Sequence, residues 1–335
     1  MTVQRPVRNQ VFHSGELALQ IVAGRAQRLA ELGGKIIRDF MPQQHRDFYA
    51  QLPFIVAAIV DDRHDVWPTL WAGNPGFISS PDETTLQIDH THLVDDPASR
   101  GVAAGAAIGL LGIELHTRRR NRMNGMIMRC ENGQMQIHVD QAYGNCPRFI
   151  QKRDWHFAPH APDNAKAGTT KIAAIESGQL SPRARAMIAQ ADTFFVGSYA
   201  DQDDLRQVDV SHRGGRPGFV HIGADDVLTI PDFSGNFYFN TLGNFVVNPR
   251  AGLLFIDFES GDMLHLAGTA RLVTDSTQIP PYDGAERFWT FRPERVVLRE
   301  SACLLRWQMQ ADGYSPATLK TGLWPDLEHR IERKM

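Results

Sequence analysis

The sequence predicts a mainly β protein with flanking helices, an α+β chain built from two small antiparallel β-barrels of one fold in tandem. Three observations carry this expectation. The chain repeats itself at a period of about 140 residues. Its apolar runs are short, rich in β-branched and aromatic residues, and separated by frequent turns. Its 335 residues and 42% hydrophobic content exceed what one core usually organises.

The repeat consists of matched blocks in the same order. Pro42, Phe54 and Val56 match Pro182, Phe194 and Val196; GNPGF (73–77) matches GRPGF (215–219); Leu86 and Ile88 match Leu228 and Ile230. GLLGIEL (109–115) then matches GLLFIDF (252–258), and Gly125 matches Gly268. Such a period is too long for a solenoid and denotes two domains. The expected boundaries are 1–160 for an N-terminal helix and first barrel, 161–179 for a linker, and 180–335 for the second barrel with a C-terminal extension.

The elements follow in order. Segment 14–32 reads as a helix capped by Ser14 and packed outside the first barrel, with Ala18, Val22, Ala26 and Leu29 at helical spacing and Gly24 as its weak point. Helices are expected at 42–51 and at 181–191, the latter started by Ser181-Pro182. Strands are expected at 54–60, 109–115, 194–199, 252–258 and 263–273. The tail mixes a helix-like GAERFW (284–289) with strands VVLRE (296–300) and LLRWQM (304–309).

Composition narrows the function. A net charge of −3 gives no basic field for nucleic acid. The apolar runs are strand-sized, far short of a bilayer span, and residues 1–12 lack the apolar region of a secretory signal. Three widely spaced cysteines, Cys130, Cys146 and Cys303, fit a reducing cytoplasm and make no disulfide framework. Cys146, before Pro147, reads as structural rather than redox-active. Asp89-His90-Thr91-His92 lacks a third ligand and reads as a surface loop, so no metal is expected. Trp289 and Phe291 read as core.

The halves differ in chemistry. The second carries Ser211, His212 and Arg213 beside glycines, where the first has Thr69 and Trp71 opposite Ser211 and Arg213. It then reads PDFSGNFYFNTLGNFVVNP (231–249), with Asp232, Asn236, Asn240, Thr241 and Asn244 around a glycine turn that opens a helix, an arrangement suited to phosphate. The first half has the basic run HTRRRNRMNG (116–125), in which strand alternation puts Arg118, Arg120 and Arg122 on one face around Asn121. Guanidinium groups crowded on one face suit an anion; the alternative is a charged, solvated edge. Complementary features in two halves are what a composite interface site leaves when one of its two copies decays.

The blocks DVSHRGGRPGFV, PDFSGN, RRRNRMNG, YGNCPRFIQ and SACLLRW resemble those of the pyridoxamine 5′-phosphate oxidase-like family of FMN-binding split barrels, over roughly residues 40–310. The resemblance implies two tandem split barrels forming an intrachain pseudo-dimer that holds FMN between them. It carries the flavin role onto Ser211, Arg213, Asp232, Asn236, Asn240, Thr241 and Asn244. From across the interface it adds Arg120 and Asn121, beside which Arg118 is a cofactor-binding candidate from the basic run, with Arg292 near the flavin ring. Where true pyridoxamine phosphate oxidases carry an Arg-Lys pair, this chain has Asn240-Thr241, and oxidation of vitamin B6 is not expected.

The leading expectation is an FMN-dependent oxidoreductase acting on a small molecule, with NAD(P)H or another electron donor binding transiently, since no GxGxxG fingerprint is present. His212 is the one catalytic candidate, as a proton donor. The alternatives are a flavin or haem carrier, kept open by His90, His92, His138 and His156, and a duplicated barrel without cofactor that acts in protein assembly. Nucleic acid and membrane are not expected as partners; pairing of two chains into a homodimer stays open.

Overall fold

The computed structural model describes residues 11–89, 95–158, 174–202, 205–274 and 282–324. His90, His92 and residues 161–173 of the expected linker lie outside the described residues.

In the first half, β1 (Phe54–Val60), β2 (Val66–Ala72), β3 (Ile78–Asp82), β4 (Thr85–Asp89), β5 (Ala107–Glu114), β6 (Arg119–Glu131) and β7 (Gln134–Gly144) form one antiparallel sheet in the order β2-β1-β5-β6-β7-β4-β3. After β8 (Arg153–Phe157) and β9 (Ala174–Ser177), the second half repeats the plan. Its strands β10 (Thr193–Gln202), β11 (Leu205–Gly214), β12 (His221–Ile222), β13 (Leu228–Phe233), β14 (Arg250–Ile256), β15 (Met263–Val273) and β16 (Ala285–Arg299) run in the order β11-β10-β14-β15-β16-β13-β12. The two orders are the same. Each half encloses its own apolar core, around Ile55, Ala57 and Ile137 in one and Phe194, Val196 and Leu266 in the other.

The repeated glycines have repeated jobs. Gly125 and Gly268 both sit at bulges where the backbone of the next strand closes in: a Cβ would lie 1.9 Å from the His138 carbonyl oxygen in one case and 2.0 Å from that of Arg292 in the other. In the GxPGF turns, a Cβ on Gly73 or Gly215 would strike the ring of Phe77 or Phe219.

Two matches need correction. Ile55, paired with Trp71, and Phe194, paired with Arg213, both face their own half's core, so Ile55 and not Phe54 corresponds to Phe194, and Ala57 and not Val56 corresponds to Val196. Phe54 and Val56 face the other way, as Phe195 does. A slip of one residue in a strand exchanges its faces, and apolar residues on both faces of β1 and β10 hid it from the sequence.

The halves meet in a third core, a seam built from Val56 and Leu111 of the first, Val208 and Leu254 of the second, and Cys303 and Trp307 near the C-terminal end. The contact is reciprocal. A Cβ on Gly109 would lie 2.9 Å from the Val208 carbonyl oxygen, and one on the matching Gly252 would lie 2.0 Å from that of the matching Val66. β17 (Leu305–Met309) pairs with β8 in a two-stranded ribbon, and β9 pairs with β16, so residues 174–177 are strand rather than linker.

Five helices flank the sheets among the described residues. α3 (Gln43–Ala50) and α4 (Pro182–Gln190) stand where expected, and Ser181 Oγ accepts the Ala184 N–H at 3.1 Å as a cap. The N-terminal segment departs from expectation. It splits into α1 (Ser14–Val22) and α2 (Ala26–Ile36) at Gly24, whose φ is +65°. His13, not Ser14, caps α1 in a capping box with Glu16. α1 packs on α5 (Asn240–Val247) of the second half rather than outside the first barrel. GAERFW is no helix but the start of β16, where Phe288 and Trp289 are buried as the strand pairs with β13.

His265 in β15 ties the halves through its Nδ1, 3.0 Å from the Pro68 carbonyl oxygen. Burial, against the pull of Asp96 and with the push of Arg299, lowers its pKa to about 4. Unfolded, the ring titrates near ~6.5. Between those values the unfolded chain binds a proton that the folded chain refuses. The ring's contribution is therefore complete above about pH 6.5 and falls as the pH drops toward 4, by on the order of 3 kcal/mol. Denaturant titrations at neutral and acid pH should show this slope, and His265→Gln should flatten it.

Candidate functional site

A cavity opens where β11, β13 and the start of α5 in the second half meet β6 and the 145–149 turn of the first. The enclosed part has a volume of about 120 Å³ and opens to solvent at its mouth. Alternation along β11 supplies much of one wall. Val208 and Val210 enter the seam, while Asp209, Ser211 and Arg213 take the other face.

Eight of the expected site residues line the cavity: Arg120, Ser211, His212, Arg213, Asp232, Asn236, Asn240 and Thr241. Four do not. Arg118 is in the turn before β6 with a φ of +60°, and its guanidinium donates to the carbonyls of Ile150, Gly313 and Tyr314. It is therefore off the face expected from alternation, which only Arg120 and Arg122 share. Asn121, between Arg120 and Arg122, takes the opposite face of β6 and is absent from the lining, while its backbone carbonyl accepts from the Tyr49 hydroxyl. Asn244 is held in the protein interior by Ser198 and His13. Arg292 is exposed on the outer face of β16 beside Asp225. Arg287, on the inner face of that strand with Trp289 and Phe291, lines the cavity instead. The sequence signal for Arg287 was its alternation with those two aromatic residues.

Five arginines, Arg120, Arg122, Arg148, Arg213 and Arg287, face two carboxylates, Asp232 and Glu286, around this space. Asp232 accepts from Arg213 at 2.5 Å on one oxygen and from Arg287 at 2.7 Å on the other. Arg122 is buried against Asp209 at 2.6 Å and also donates to Ser211, Tyr143 and Asn240. Burial alone would lower the Arg122 pKa; Asp209 and Tyr143 outweigh it and raise the pKa. Thr241 donates to Ser211 at 2.9 Å and completes this network.

Arg120 differs from its neighbours. Its guanidinium donates only to carbonyl groups, to Cys146 at 2.8 Å and His212 at 3.4 Å, and among the described residues it has no carboxylate partner. Burial, with Arg122 and Arg213 close by, pulls its pKa down to about 9. A half-buried cation in this position is costly unless an anion joins it. His212, only 5% exposed, lies edge-on to Phe195 and stays neutral, because burial and then Arg120, Arg213 and Arg153 hold its pKa well below the usual value.

The remaining wall is aromatic and strained. Phe149, Phe237 and Phe239 line the cavity with φ of +64°, +61° and +61°, a region that bulky residues avoid at a cost of about 1–3 kcal/mol each. Phe149 stacks on Phe233 at 5.0 Å.

Left-handed Phe239 starts α5 without a side-chain cap, and the helix's first three residues border the cavity. From behind, α1 fixes this helix: Glu16 accepts from the Asn240 amide, and Gln20 donates to the Tyr238 carbonyl at 3.2 Å. A Cβ on Gly15 would lie 2.1 Å from the Gly243 carbonyl oxygen. Gly15→Ala should thus cost about 1–3 kcal/mol, seen as a lower urea midpoint at unchanged slope.

No protein-family model matches the chain, and no curated protein does. Among solved structures it is similar to a Lactobacillus delbrueckii protein provisionally assigned as a pyridoxamine 5′-phosphate oxidase, at 11% identity and a TM-score of 0.26 over 32% of this chain and 95% of that one. It is similar to HutZ, the haem storage protein of Vibrio cholerae, at 12% identity and 0.25 over 36% and 95%. It is also similar to a FAD-binding protein of Mesorhizobium loti, at 14% identity and 0.26 over 38% and 97%. Likeness at this level fixes neither fold nor ligand.

Among the described residues, no helix is long and apolar enough to cross a membrane, and no three of His, Cys, Asp and Glu come together as metal ligands. His138 and His156 lie on β7 and β8, away from the cavity lining.

Proposed function

We propose that this cavity binds FMN, in a pseudo-dimer of two tandem split barrels at roughly 1–160 and 180–335, and that the protein is an FMN-dependent oxidoreductase acting on a small molecule. The observation that carries this reading is Arg120, a half-buried guanidinium with no carboxylate partner among the described residues, in an arginine-rich cavity between the halves. A ligand with a phosphate at one end and a planar ring at the other meets both demands of the walls. Arg120 and the open first turn of α5 suit the phosphate, and the phenylalanines suit the ring. Unpartnered buried donors at the Asn145 amide and Arg213 Nε, both lining residues, remain for a ligand.

When bound, the flavin supplies the electron transfer. The protein's part is positioning. Asp232 fixes Arg213 and Arg287 in one orientation, Asp209 and Asn240 fix Arg122, and Phe149, Phe233 and Phe239 keep water from the ring. His212 stays neutral near pH 7, so its role as proton donor would need a ligand that raises its pKa.

The visible absorption spectrum of the purified protein, before and after acid release of ligand, tests the reading. Flavin bands with released FMN support it, and bleaching by NADH or NADPH without oxygen separates enzyme from carrier. A Soret band would replace flavin by haem. A colourless protein that also fails to bind added FMN overturns the proposal.

A further inference from the structure

The repeat gives the cavity a second position within the same chain. Strand register defines it: Ala57 pairs with Thr69 as Val196 pairs with Ser211, Ile59 with Trp67 as Ser198 with Asp209, and Leu111 with Arg122 as Leu254 with His265. Thr69 therefore stands for Ser211, Trp67 for Asp209, Trp71 for Arg213 and His265 for Arg122. On the other wall, Leu264 pairs with Leu298 as Asn121 pairs with Gly144, so Arg299 stands for Asn145.

This second position is filled by the protein itself. Trp67 is fully buried among Ala98, Ala267 and Val297. The Thr69 hydroxyl donates to Asp96 Oδ2 at 2.6 Å, as Thr241 joins Ser211 in the open cavity. Arg299, 1% exposed, reaches Asp96 at 3.4 Å and Asp95 at 3.5 Å, and its Nη2 is buried without a partner. In the open cavity, Asn145, the counterpart of Arg299, has an amide nitrogen without a partner; here a hydroxyl and a guanidinium are joined by the Asp96 carboxylate.

We propose that this position is a closed copy of the ligand cavity in which Asp96 takes the place of the ligand's anion, leaving one ligand site per chain. The proposal rests on the FMN reading for the open site, while the closure stands on the geometry above. It also names a latent site for a small oxyanion such as formate, exposed once the Asp96 carboxylate is removed.

Two measurements test it. Equilibrium titration of the full chain with FMN should saturate at one per chain; two per chain would overturn the closure, and none would retire the FMN reading alone. Asp96→Ala should lower the melting temperature by roughly 4–7 °C, because a buried guanidinium loses the nearer of its two carboxylates and the Thr69 hydroxyl loses its acceptor. Sodium formate should restore part of that loss beyond the effect of chloride at equal ionic strength. It should do so neither in the wild type, where Asp96 fills the position, nor in Asp96→Ala/Arg299→Met, where the guanidinium that would hold the ion is gone. If Asp96→Ala folds only with formate, the refolded yield reads the same effect. Equal responses to formate and chloride in Asp96→Ala would overturn the assignment of Asp96 as an internal anion.

Discussion

Replacing Arg120 by Met is expected to weaken FMN binding about 10–100-fold while leaving the melting temperature unchanged or higher. The two readouts move apart for one reason. In the protein alone, Arg120 is a cation that burial and two neighbouring arginines work against, and its hydrogen bonds reach only carbonyl groups. Removing it relieves that repulsion. In the complex, the same guanidinium gains a charge-assisted bond to phosphate, and such bonds contribute about 1.5–3 kcal/mol. Fluorescence titration of FMN beside a thermal melt reads both. Full affinity in Arg120→Met, or a large fall in melting temperature, would make Arg120 a structural residue and remove the chief support for the site.

Asp209→Ala is expected to do the reverse. Arg122 and Asp209 expose only 6% and 5% of their side chains. Removing one member of such a pair strands the other charge, at a cost of about 3–5 kcal/mol. Arg122 also anchors Ser211 and Asn240, so cavity order and FMN affinity should fall with stability. Arg122→Met/Asp209→Leu, which strands no charge, should recover most of the stability and none of the binding. Urea denaturation of the three proteins checks this; a loss below about 1 kcal/mol in Asp209→Ala would show that water or a neighbour compensates Arg122.

What the sequence made legible was mostly local. Phe54–Val60 and Met263–Val273 read as strands from their own composition, and Ser181 read as a cap from its own spacing. The matches of Gly109 with Gly252 and of Gly125 with Gly268 held because at each a Cβ would strike a neighbouring backbone, and that of Gly73 with Gly215 because it would strike a phenylalanine ring. Readings that depended on distant partners fared differently. Nothing near Ser14 says that α1 crosses to α5, since the fit is made by Gly243 and Asn240. Arg118 looked like a third member of a strand face because alternation was counted from a residue that lies in the turn. Asp209, the partner of Arg122, sat unremarked between two valines that announce only a strand. Of the cavity, the β11 and α5 walls were readable from their polar clusters, whereas Arg287 was hidden in a segment that looked helical.

The seam has a consequence for how the chain comes to be made. Phe54, Val56 and Leu111 are synthesised early, yet the surfaces that cover them, Val208, Leu254 and finally Trp307, emerge from the ribosome much later. Until those later segments emerge, the first half presents an uncovered apolar face to solvent or to chaperones. The growing polypeptide should be most prone to aggregate in that interval, and slower elongation should extend the hazard although the finished molecule is unchanged.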